Sequence, residues 1–168
     1  MAEDGIAAAA RELDGMIGHQ GPQLRGSVSA RDIARFAVAS GDSSPIYTSE
    51  AEARAAGYEG IPCPPLLLSS VIEWGAGPAL GELRADGTGV GREGWLPLDG
   101  LRLMGGGQDL DLHRPLLADT GFVAEPVLTG VERKQGGSGD LILLTIETGF
   151  RTVAGEPLVT CRETLIAR

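Results

Sequence analysis

Two stretches of this chain hold residue types that could move protons or stabilise charge. Asp42-Ser43-Ser44-Pro45-Ile46-Tyr47 puts a carboxylate five residues ahead of a phenol. The carboxylate could orient water or shuttle a proton. The phenol titrates near pH 10 when unperturbed, so it could donate a hydrogen bond, and act as a base only after losing several pKa units. Both residues also have plainer readings: aspartate before Ser-Ser-Pro is a common turn former, and Tyr47 could be a packing residue whose hydroxyl meets a backbone group. The second stretch, His113-Arg114-Pro115, offers an imidazole and a guanidinium that could meet a phosphate, although a lone strand histidine often makes only a structural hydrogen bond. The chain has just two histidines, and His19 falls in the loop Gly18-His19-Gln20-Gly21, where it reads as exposed. Arg133 is a further candidate for a phosphate, but charges at strand ends are usually solvated. Gly105-Gly106-Gly107 is no phosphate loop, since no GxxxxGK[ST] follows a strand; a bulge or tight turn fits it better. Cys63 and Cys161 lack a CxxC or a histidine at ligand spacing and read as small buried residues, so neither a metal nor a disulfide is expected.

Composition narrows the classes that such residues could serve. A chain of 168 residues with 42% hydrophobic and 22% charged residues has the balance of one globular domain. Lys+Arg 14 against Asp+Glu 23 gives a net charge of −9, which repels polyanions. Without a basic patch, neither nucleic acid nor an anionic membrane is an expected partner. Met1 to Asp4 is acidic where a signal peptide needs positive charge, and the nearly apolar run Ile61 to Leu68 contains three prolines and is far too short to span a bilayer. A cytoplasmic protein without a cofactor is expected.

These residues must be held by two unlike halves. In the first, Ile6 to Ile17 has a weak helical period. Ser29 reads as an N-cap with Asp32 at N3, ahead of Ile33, Phe36, Ala37 and Ser40 at helical spacing, and Gly41 ends that helix. Ser49 caps a short helix to Ala56 with Gly57 as its stop. Pro64-Pro65 opens a helix to about Trp74 that is apolar nearly all round and should be central. Glycines at 75, 77, 81, 87, 89, 91 and 94 then predict a mobile loop over 75–94, a lid or an insertion. In the second half, Leu98 to Met104, Gln108 to His113, Gly121 to Arg133, Asp140 to Val153 and Leu158 to Ala167 read as strands separated mostly by glycine-rich turns. The expected architecture is α+β, a meandering antiparallel sheet around a buried helix.

The segments Arg35 to Tyr47, Ala55 to Pro65, Gly106-Gly107-Gln108-Asp109, His113 to Leu116 and Arg162-Glu163-Thr164 together resemble the N-terminal type of MaoC-like dehydratases, from about residue 27 to the end. The resemblance implies a hotdog fold, a curved antiparallel sheet wrapped around a long central helix. It places an N-terminal helix and connection at 1–26 and a single hotdog domain at 27–168. It also implies hydration or dehydration of a 3-hydroxyacyl/enoyl thioester on coenzyme A or acyl carrier protein, by a homodimer or by a heterodimer with a second hotdog chain.

The sequence departs from the catalytic pattern twice. Active relatives in this resemblance read Asp-x-Asn-Pro-x-His; here Asp42 and Pro45 are kept, Ser44 replaces the asparagine and Tyr47 stands at the histidine. Active members also open the central helix with His-Gly, whose amides face the thioester oxygen, whereas Pro64-Pro65 has no N–H and leaves Leu66 or a later amide. The expected site therefore comprises Asp42 and Tyr47 as catalytic groups, with Ser44, Pro65, Leu66, His113 and Arg114 around the substrate. Two further readings stand beside it: a non-catalytic subunit that binds or scaffolds acyl thioesters, and a thioesterase, for which Glu73 is the one carboxylate on the central helix.

Overall fold

The computed structural model describes residues 2–70, 79–83, 94–137 and 139–168. The helices are α1 (Ala2–Asp14), α2 (Ala30–Ser40), α3 (Glu50–Ala55) and α4 (Leu67–Ser70), and the strands are β1 (Leu24–Val28), β2 (Leu103–Leu112), β3 (Thr120–Gly136), β4 (Gly139–Thr152) and β5 (Pro157–Ala167). All five strands form one antiparallel sheet in the order β1-β3-β4-β5-β2.

Local chemistry sets the helix that precedes the site. The Ser29 side chain accepts from the Asp32 N–H at 3.2 Å, and the Asp32 carboxylate accepts from the Ser29 N–H at 3.1 Å, a complete capping box at the start of α2. Hydrogen bonds from Ser29 hold the exposed Asp32 carboxyl below its usual range. Gly41 stops the helix with φ 74°, a left-handed conformation that glycine adopts without steric cost.

Side chains alternate in the long strands. In β4, Ile142, Leu144, Ile146, Thr148 and Phe150 are buried while the residues between them are not, so one sheet face carries the core. Two clusters share that face. At one end Phe122 and Phe150, with ring centroids 6.0 Å apart, pack with Ile33 of α2, Leu67 and Leu68 of α4, Tyr47 and Cys63. At the other, Leu13 of α1 lies with Leu96, Leu98, Leu128, Ile142 and Leu144.

Three expectations change. β1 was not anticipated, because Leu-Arg-Gly-Ser-Val has little strand character by itself; it forms by pairing with residues 120–124 of β3. The expected strands on either side of Gly105-Gly106-Gly107 are one strand. Leu103 pairs with Ala167 and Leu112 with Val159, and the glycines absorb a register shift between Gly105 and Gly107 as a bulge. Leu98 is a buried core residue in the turn before β2 rather than a strand residue. Of the helix expected from Pro65 to Trp74, the stretch Leu67–Ser70 is described, with Leu67, Leu68 and Ser69 buried. Its remainder, Glu73 included, and most of the glycine-rich segment 75–94 lie outside the described residues. Among the described residues no helix is long and apolar enough to cross a membrane.

Candidate functional site

The chain reverses at the end of α2. The Asp42 N–H donates to the Ala37 carbonyl at 2.8 Å, and its carboxylate accepts from the Ser44 N–H at 2.9 Å. This turn launches a single 3₁₀ turn, Pro45–Tyr47, in which Pro45 supplies the fixed φ of a first helical position. Tyr47 is thereby pressed into the core with 9% of its surface exposed, while Asp42 is exposed.

A second set of backbone bonds brings distant segments to Tyr47. The Cys63 N–H donates to Leu116 O at 2.6 Å and the Ala118 N–H to Ile61 O at 2.8 Å, tying 61–63 to 116–118. The His113 N–H donates to Leu158 O at 2.9 Å, fixing 113–114 to the start of β5. Between these ties lies a half-open cavity of about 240 Å³ whose wall includes Tyr47, Tyr58, Cys63, Pro65, His113 and Arg114. His113 Nε2 lies 3.0 Å from Thr160 Oγ1, and Arg114 pairs with Glu156 at 2.6 Å across an exposed surface.

Of the residues expected from sequence, Tyr47, Pro65, His113 and Arg114 therefore meet at one cavity. Asp42, Ser44 and Leu66 are not part of its wall. Tyr58 was missed. It follows the Gly57 stop of α3 and contributes a second phenol to the same wall, and only its position just past a helix end could have hinted at this. Cys63, read as a buried thiol, is buried and also lines the cavity.

Electrostatics limits what these groups can do. Burial raises the pKa of Tyr47, and the nearby Asp42 carboxylate, Tyr58 and Cys63 add to the rise. At neutral pH Tyr47 is thus a neutral phenol that can donate a hydrogen bond but is disfavoured as a base. The Cys63 thiol is pushed up to about 12 by burial, so it is not a ready nucleophile. The backbone near α4 gives few donors. Pro64 and Pro65 have no N–H, Cys63 N–H is bonded to Leu116, and Leu67 N–H donates to Pro64 O at 3.0 Å. Among the described residues no three His, Cys, Asp or Glu side chains stand close enough to hold a metal ion.

The sequence matches the family model described as FAS1-like, dehydratase domain region, over residues 15–161. A UPF0336 protein of Thermobifida fusca is 30% identical over 136 residues, covering 81% of this chain and 80% of that protein. The ChsH1-ChsH2 complex from Mycobacterium tuberculosis superposes with a TM-score of 0.69 at 21% identity, over 97% of this chain and 90% of the other. The C-terminally truncated HadBC (3R-hydroxyacyl-ACP dehydratase) complex of the same organism gives 0.66 at 16% identity, over 90% and 96%. The fold is the hotdog fold of MaoC-like dehydratases. With the dehydratase model spanning most of its length, the chain belongs to the family of FAS1-like dehydratase domain regions.

Proposed function

We propose that this chain binds a 3-hydroxyacyl or enoyl thioester in the cavity below Tyr47 and serves as one half of a two-chain hydratase/dehydratase, with a second hotdog chain supplying the acid/base pair. The observation that carries this reading is the separation of the two motif residues. Tyr47 reaches the cavity as a neutral phenol, whereas Asp42 is exposed, accepts from the Ser44 amide with one carboxylate oxygen and lies off the cavity wall. Addition of water needs a base for the water and an acid for the carbon next to the carbonyl, and Tyr47, held as a neutral phenol, supplies just one of these. Tyr47 would donate to the thioester oxygen, a task that the prolines ahead of α4 cannot perform. That relatives in shape include the ChsH1-ChsH2 and HadBC complexes supports a two-chain arrangement.

A second reading, catalysis by this chain alone, is favoured by His113, which shares the cavity wall with Tyr47. One assay separates them. Purified protein is offered enoyl-CoA and enoyl carrier-protein thioesters of several chain lengths, alone and then with a hotdog chain that carries an intact Asp-x-Asn-Pro-x-His segment. The expected result is turnover only in the mixture; turnover by the single chain that is lost in His113→Asn would replace the two-chain reading with the second.

A further inference from the structure

The two tyrosines of the cavity wall are held by one short piece of chain. Thr48 N–H and Ser49 N–H both donate to Pro45 O, at 3.1 and 2.9 Å, so the 3₁₀ turn of Tyr47 runs directly into α3. Ser49 caps that helix by accepting from Glu52 N–H at 3.3 Å. At the other end Gly57 takes a left-handed φ of 94°, and Tyr58 N–H returns to Ala53 O at 3.0 Å. Turn, helix and stop thus bring the half-buried Tyr58 to the wall that Tyr47 occupies. Burial first, then Asp42, then Tyr58 raise the pKa of Tyr47, so the two rings are neighbours.

Two observations bear on what these phenols face. A buried tyrosine hydroxyl normally finds a partner. Among the described residues neither of these hydroxyls has one, although Tyr47 is 9% exposed. The Tyr47 oxygen is not sealed in the core either, so its donor opens on the cavity. The other observation is charge. The chain carries 23 acidic residues against 14 basic, yet no Asp or Glu stands among the described residues of this wall, where His113 and Arg114 do. Neutral donors and a cation without a carboxylate favour an oxygen that carries negative charge. Such donors act best when fixed before the charge develops, and the capped helix between these two tyrosines fixes them.

Resting on the acyl-thioester reading above, we propose that Tyr58 joins Tyr47 in a two-phenol cradle for the thioester oxygen, selective for that oxygen in its anionic, enolate form. Whether water adds to the β-carbon or a proton leaves the α-carbon, an electron pair ends on this oxygen, and the protons travel to or from the second chain's acid/base pair. The phenols donate two hydrogen bonds and keep their own protons. They stand in for the amide donors that Pro64 and Pro65 lack.

Two readouts on the full chain test this. The first is the infrared stretch of an isotope-labelled carbonyl in butyryl-coenzyme A. Binding should move it below its frequency in water; Tyr47→Phe and Tyr58→Phe should each cancel part of the shift, and the double variant all of it. The second is calorimetry with two stable thioethers of coenzyme A that differ in charge, carboxymethyl and carboxamidomethyl. The carboxylate should bind about tenfold tighter than the amide, and at most about threefold tighter in either phenylalanine variant. This ratio does not depend on the fraction folded, so a destabilised variant still reports. Butyryl-coenzyme A that binds with an unshifted carbonyl, or with a full shift in Tyr58→Phe, overturns the proposal and leaves the acyl-thioester reading standing. Equal affinity for the two thioethers does the same. A carboxylate preference lost in Arg114→Gln but kept in both phenylalanine variants also overturns it, since the guanidinium would then hold the anion. If neither butyryl-coenzyme A nor the thioethers bind, the acyl-thioester reading itself fails and takes the proposal with it.

Discussion

Asp42 and Tyr47 are five residues apart, yet one 3₁₀ turn sends the first to solvent and the second into the core. Their substitutions should therefore act differently. Tyr47→Phe keeps the ring packing and removes only the hydroxyl, so thioester affinity should fall about threefold to tenfold with little loss of stability, the span expected of one hydrogen bond. Asp42→Asn should leave affinity nearly unchanged, because the amide oxygen can still accept from Ser44 N–H; calorimetry with butyryl-coenzyme A reads both. A large loss in Asp42→Asn with none in Tyr47→Phe would reverse the assignment of roles. Cys63 gives a prediction about pH. Its thiol titrates near 9.0 when unperturbed and near 12 in the fold, so the folded state holds its proton more tightly than the unfolded one. Below pH 9.0 both states are protonated and the contribution is intact; as pH rises from there towards 12 the unfolded chain loses its proton first, and stability falls. Tyr47, also raised, extends the decline above pH 10. Denaturant melts from pH 7 to 11 should show this slope, and Cys63→Ala should flatten it although it is less stable at neutral pH. An unchanged slope would show that another group governs the alkaline limb.

At the scale of elements, α2 rests on its capping box. Ser29→Ala removes the acceptor for Asp32 N–H and should destabilise the protein by about 1 kcal/mol. For a chain of this size that lowers Tm by about 2–4 °C, and scanning calorimetry measures it. Because α2 ends directly in the turn that delivers Tyr47, the same variant should weaken thioester binding only near its lowered Tm; weakened binding well below it would mean that the cap also positions the site. The connection between α1 and β1 depends on contact rather than on a cap. A Cβ at Gly21 would stand 2.5 Å from the indole of Trp95, so the segment before β2 sits directly on this glycine.

At the scale of the whole molecule, the sheet order among the described residues leaves β2 bonded to β5 on one side only. β2 is ten residues long and mostly exposed; it contains no Lys, Arg or Pro, but its bulge between Gly105 and Gly107 and the carboxylates of Asp109 and Asp111 guard it against indiscriminate pairing. Such an edge leaves a specific partner strand as one way to realise the pairing proposed above. Light scattering of the chain with its proposed hotdog partner should give a one-to-one mass, and β2 amides not bonded to β5 should exchange more slowly in the mixture. Two separate masses at micromolar concentration, with unchanged exchange, would remove the two-chain proposal.

Much of this was legible in the residues because it depends on neighbours in sequence. Ser29 with Asp32, the Gly41 stop, the alternation of β4 and the absence of a histidine at position 47 follow from local spacing and side-chain chemistry. So did the α+β class, since one buried helix and several alternating strands leave few ways to cover their apolar faces. Tertiary structure alone decided the rest. β1 has no strong strand pattern and exists because β3 offers it a ladder; the glycine run at 105–107 becomes a bulge because β5 pairs continuously on both sides of it. The same holds for the site. Tyr58, His113 and Arg114 join Tyr47 through backbone bonds between 61–63 and 116–118 and between 113–114 and β5, contacts tens of residues apart that no local pattern encodes. The sequence determined which groups could do chemistry, and the long-range backbone pairing decided which of them face one another.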